Sequence, residues 1–103
     1  MPDEPVSPDA CTTMEEVRSG VDALDEAICR LIERRFAYIA AAARIKPSRS
    51  DIRDEARKAD VLRNVRRHAS AAGWPPDLAA SLWETLVEAS IDFELRAFDG
   101  RTR

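Results

Sequence analysis

Arg35 stands where the pattern around it calls for a leucine. Met14, Val17, Val21, Leu24, Ile28 and Leu31 recur at spacings of 3 and 4, the signature of one apolar seam on a long helix, and Arg35 occupies the next position of that seam. A guanidinium keeps its proton at any physiological pH and is costly to bury unpaired, so an anion should meet it there. That anion is either a ligand or a carboxylate of a second chain, such as Asp22 or Asp25, that fixes helix register. Lys46 follows Arg35 by eleven residues, which returns it to nearly the same helix side about 16 Å further on. Two long cationic side chains so placed can grip one small anion from both ends. Arg18 precedes Arg35 by seventeen residues, about 25 Å away and rotated by roughly 100°, so only an antiparallel partner chain brings it to the same site.

Further charged and polar pairs share faces. Asp54 and Arg57 are three apart at the start of a second helix, and Ser90 and Glu94 are four apart on a third. Each has an ordinary structural alternative: Arg18 can pair with Asp22, Asp54 with Arg57 or Lys58, and Glu94 can be a solvated acid.

The elements that hold these residues are helices. The 103 residues are 45% hydrophobic and 34% charged, and three glycines with a single tyrosine argue against a sheet-rich fold. Residues 1–11 hold three of the six prolines with Asp3, Glu4 and Ser7 and are expected to form a disordered tail. A helical domain is expected over 12–99. Thr12 or Thr13 caps the first helix, Glu15 and Glu16 sit in its positive first turn, and the pattern runs to Lys46 before Pro47 stops it. Ser48 to Asp51 supplies a loop and a second cap, after which Ile52, Ala56, Ala59, Leu62, Val65, Ala69 and Ala72 trace the next stripe up to Gly73. Pro76 suits the first position of a third helix, whose inward stripe is expected at Leu78, Leu82, Leu86, Ala89 and Phe93. Trp83 is placed in the core, and residues 100–103 as a frayed end. A first helix of about 33 residues spans about 50 Å, whereas a compact 100-residue domain has a radius of gyration near 13 Å. Its seam therefore calls for a second long helix, most simply its own copy in a two-fold, antiparallel, intertwined homodimer.

Composition narrows the function classes. A formal net charge of −3 provides no basic field for nucleic acid, and the run Arg63, Arg66, Arg67 is short and balanced by acids, so a helix-turn-helix reader is disfavoured. No apolar run is long enough for a membrane span and no export pattern opens the chain, which gives the expectation of a cytoplasmic protein. Cys11 and Cys29 have no metal-ligand spacing and are read as free thiols. His68, amid Arg66 and Arg67, reads as solvated surface, and no metal or cofactor site is expected.

Five motifs, in order, resemble the all-helical chorismate mutase family: Arg18 within EEVRSGVDALDEAI, Arg34 and Arg35 within LIERRFAYIAAAARIK closed by Lys46, DEAR at 54–57, and LVEASIDFE at 86–94. The opening CTTMEEVRSGVD and the loop IKPSRSDI resemble the subgroup holding the isochorismate-pyruvate lyases of salicylate biosynthesis. The resemblance implies three helices per chain, intertwined as a dimer with two shared sites. It implies that Arg18 of one chain and Arg35 of the other bind the carboxylates of chorismate or isochorismate, that Lys46 reaches a carboxylate and the ether oxygen, that Asp54 takes the ring hydroxyl and Arg57 a carboxylate, and that Ser90 supports them. Glu94 stands where many members have a glutamine that donates to the ether oxygen. Lys58 stands where some have a glutamate that helps fix the ring hydroxyl.

The implied chemistry suits this inventory. Converting chorismate to prephenate is pericyclic and needs no nucleophile, metal or cofactor, only a held conformer and stabilised charge on the ether oxygen. Lyase action on isochorismate would use the same cationic cage. A noncatalytic helical dimerisation module, with Arg35 setting register, is the alternative from another class.

Overall fold

A computed structural model describes residues 4–101 and contains three α-helices: α1 (Met14–Ile45), α2 (Glu55–Ala72) and α3 (Pro76–Gly100). Short 3₁₀ turns occupy Pro8–Ala10 and Arg49–Asp51, and no strand occurs among the described residues. The architecture is all-α, as the periodicity requires. Contacts divide the chain into two compact units, Met1–Phe36 and Ala37–Arg103, with the boundary inside α1.

In the first unit, α1 begins with a reciprocal cap. Thr13 Oγ1 accepts from the Glu16 backbone N–H at 3.1 Å, while Glu16 Oε1 accepts from the backbone N–H of Thr12 at 3.0 Å and of Thr13 at 3.1 Å. The Thr12 backbone bond, helped by both threonine hydroxyls, holds the Glu16 carboxyl below its ordinary range. Residues 1–3 of the expected tail lie outside the described residues. Pro5, Val6 and Pro8 line a groove whose opposite wall is Val17, Val21 and Leu24, and Cys11 Sγ donates to Val6 O at 3.8 Å. Most of the α1 seam is uncovered in the single chain: Met14, Val21, Leu24, Ile28 and Leu31 are all at least half exposed.

In the second unit, α2 and α3 form an antiparallel hairpin. Gly73 turns it with φ of 84°, a left-handed conformation that glycine adopts without Cβ strain, and the Trp74 N–H closes onto Ala69 O at 3.0 Å. Pro76 fills the first position of α3, where its missing N–H costs nothing. Ile52, Val87 and Ile91 form the core, with Val61, Trp83, Leu95 and Phe98 packed against them.

Three local expectations are corrected. Ser48 and Asp51 cap their own 3₁₀ turn reciprocally, which uses up both side chains, and the cap of α2 is Asp54, whose side chain accepts from the Arg57 N–H at 3.0 Å. Ile52 accordingly precedes the helix and enters the core from the loop. On α3 the stripe that the chain buries is Ala79, Ala80, Val87, Ser90, Ile91 and Glu94, whereas Leu78, Leu82 and Phe93 remain 41–51% exposed. The helix carries two apolar stripes, and α2 covers only one.

Candidate functional site

Lys46, Asp54, Arg57, Ser90 and Glu94 all belong to the second unit. Ser90 and Glu94, one helical turn apart on α3, are its buried polar residues, with 4% and 5% of their surface exposed. A carboxylate so enclosed requires a counter-ion. Lys46 supplies it: the Nζ atom lies 2.8 Å from Glu94 Oε2, an ion pair whose angles fall outside hydrogen-bond geometry. Ser90 turns its hydroxyl to its own helix, donating to Leu86 O at 2.7 Å.

Lys46 sits one residue past the end of α1, still donating its N–H to Ala42 O at 2.9 Å. Pro47 forbids another helical residue. At the other edge, the capping of α2 by Asp54 commits its Oδ1 to the backbone of Arg57 and sets the two residues side by side, with the Arg57 side chain exposed.

Beyond Arg57 runs an ionic lattice that the sequence did not disclose. Lys58 Nζ reaches Glu84 Oε1 and Glu88 Oε2, each at 2.8 Å, and Arg53 bonds Glu88 through Nη2 at 2.8 Å and Nη1 at 3.1 Å. Arg53 and then Lys58 hold the Glu88 carboxyl down at about 2, and the Lys58 ammonium is raised by Glu84 and Glu88. Lys58 is thus tied to α3 by two acids and does not pair with Asp54. Only three-dimensional packing brings 53, 58 and 88 together, and helical spacing within one element could not show it.

Arg101 was also missed. Its guanidinium donates through Nη1 to the carbonyls of Ala43 at 2.8 Å, Arg44 at 3.3 Å and Lys46 at 2.7 Å, and it stacks on Phe98 at 3.8 Å from the ring centroid. A usable signal existed: Arg101 follows Glu94 by seven residues, the spacing of two helical turns, just past Gly100. Residues 102 and 103 of the expected frayed end lie outside the described residues.

Arg18 and Arg35 belong to the first unit, Arg18 exposed and Arg35 half-buried on α1. In the run Arg63, Arg66, Arg67, Arg63 pairs with Asp60 and Arg66 with Asp77. No group of histidine, cysteine, aspartate and glutamate able to hold a metal ion occurs among the described residues, and none of the described helices is long and apolar enough to cross a membrane.

Fold and side chains together define a small all-helical protein in which the buried Glu94 is ion-paired with Lys46. The chain belongs to the chorismate mutase type II family, whose model matches residues 17–95. Comparison with curated proteins returned no match.

Proposed function

We propose that this protein is a chorismate mutase that rearranges chorismate to prephenate in a cationic pocket completed by a second copy of the chain. The observation that carries the reading is the ion pair of Lys46 with the buried Glu94, inside a family match that spans all seven candidate residues: Arg18, Arg35, Lys46, Asp54, Arg57, Ser90 and Glu94.

In the proposed site, Arg18 from one protomer and Arg35 from the other clasp the two carboxylates, with Arg57 assisting, and hold the substrate in its compact, reactive conformer. As the carbon–oxygen bond of the ether lengthens, negative charge gathers on that oxygen. The Lys46 ammonium faces this charge, with Glu94 beside it, 2.8 Å away, at the edge of the same site. Asp54 accepts from the ring hydroxyl with the oxygen that helix capping leaves open. All atoms of the rearrangement belong to the substrate, so these residues need only place and polarise it.

Support for the second copy comes from the uncovered seam of α1 and the uncovered Leu78 and Leu82 of α3. Exposed apolar stripes of this kind mark interfaces, and the dimer we propose buries them antiparallel about a two-fold axis.

Lyase action on isochorismate is the nearby alternative, favoured by Lys58: ionically tied to Glu84 and Glu88, it offers no acceptor to a ring hydroxyl and so relaxes isomer choice. Product analysis decides. Purified protein is expected to give prephenate from chorismate with the larger kcat/KM, and salicylate with pyruvate from isochorismate as the dominant turnover would replace the mutase reading. No turnover of either substrate, with no shift of melting by chorismate, would leave a noncatalytic dimerisation module.

A further inference from the structure

The last turn of α1 has a defect written into its sequence. In a helix the carbonyl of residue 43 would accept from the N–H of residue 47, but Pro47 has none. The carbonyl of residue 44 would accept from Ser48, whose N–H instead donates to Asp51 Oδ2 at 3.2 Å in the next turn's cap. Two carbonyls are thereby orphaned immediately before Lys46, and Ala43 is 2% exposed, so water is a poor substitute there. Arg101 fills both positions and adds a third bond, to the carbonyl of Lys46 itself. Stacking on Phe98 pins the guanidinium plane, and a fixed cation at a helix C-terminus also opposes the negative end of the dipole.

Glu94 lies on α3 and Arg101, seven residues later, caps the end of that helix. One holds the ammonium of Lys46 and the other holds its backbone. We infer that Arg101 is a positioning residue that fixes Lys46 for the reaction by replacing the hydrogen bonds Pro47 removes from the end of α1. The inference rests on the proposed role of Lys46. It assigns function to a residue beyond the matched span of the family, at the end of the described chain. A lysine that must meet a charge appearing only in the transition state gains from a fixed backbone, because misplacement by an ångström lowers turnover without loosening substrate.

The test compares the full-length protein with Arg101→Gln and Arg101→Lys by amide hydrogen exchange and by steady-state kinetics with chorismate. In Arg101→Gln, exchange at Ile45 and Lys46 is expected to quicken at least about tenfold while amides around Ala69 in α2 keep their protection, which excludes general unfolding. Turnover is expected to fall about tenfold with KM changed less than about threefold, and Arg101→Lys, which keeps a cationic donor, is expected to recover at least half of both losses. Unchanged exchange at 45 and 46 would overturn the inference whatever the kinetics. So would faster exchange accompanied by undiminished kcat, or an equal rise in exchange throughout α2. Absence of chorismate turnover in the unmodified protein would refute the mutase reading separately, since the exchange experiment still decides whether Arg101 holds Lys46.

Discussion

At the scale of single residues, Arg35 and Glu94 make the sharpest demands. If Arg35 holds a substrate carboxylate, Arg35→Ala costs at least about 3 kcal/mol of transition-state stabilisation, the size of losing one preorganised donor, measured as the fall in kcat/KM. A loss below tenfold would favour a residue that only sets helix register. Arg35→Leu separates the two ideas again, since a register arginine replaced by a seam leucine strengthens the dimer. Glu94 donates a hydrogen bond only as the acid, whereas glutamine donates at any pH. Glu94→Gln keeps a polar side chain that can face the ether oxygen and Glu94→Ala does not, so turnover of chorismate is expected to survive the first and to fall at least about tenfold in the second; equal turnover in the two would remove Glu94 from contact with the ether oxygen. Both residues were visible in the sequence, one as a charge in an apolar seam and the other by spacing from Ser90. The 2.8 Å approach of Lys46 to Glu94 was not visible, because it joins the end of α1 to the middle of α3 across a loop whose path depends on Pro47 and two successive caps.

At the scale of elements, the helices themselves were legible from breakers and caps: Thr13 with Glu16, Pro47, Gly73 and Pro76 fall where the observed ends require them. Less legible was which face each helix buries, since α3 is apolar on two sides and periodicity does not say which side its own chain covers. The Glu88 lattice with Arg53 and Lys58 binds the first turn of α2 to α3 and has a consequence in acid. The Glu88 carboxyl is held at about 2 against an ordinary 4.5, so its contribution to stability is complete above about pH 4.5 and fades as pH falls toward 2. Urea midpoints should show Glu88→Gln weaker than the parent at pH 7 and the two converging between pH 4.5 and 2; a gap that persists unchanged at pH 2 would show that packing, not charge, ties these helices. Gly73→Ala isolates the turn. No atom lies within 4 Å of the added Cβ, so its cost, about 1 kcal/mol in urea denaturation, is that of the left-handed backbone alone.

At the scale of the whole molecule, the single chain leaves its apolar accounts open. Met14 to Leu31 along α1 and Leu78 and Leu82 on α3 expose surface that a lone chain of this size does not cover, and Arg18 lies too far along α1 from Arg35 for both to reach one small molecule within a chain. A second copy answers both problems at once if the helices run antiparallel. The shared-site arrangement then makes a prediction that a chain with self-contained sites cannot meet. Arg18→Ala and Arg35→Ala proteins, each inactive alone, are mixed and allowed to exchange subunits. In each heterodimer both defects fall in the same pocket and the other pocket holds an intact Arg18 and an intact Arg35. With random exchange of equal amounts, half the dimers are mixed, and each carries one working site, so about a quarter of the original sites return. Subunit exchange is followed independently by native mass spectrometry of differently tagged chains. Mixed dimers without recovered turnover would mean that each chain builds its own site, and the distance between Arg18 and Arg35 would then remove Arg18 from the chemistry.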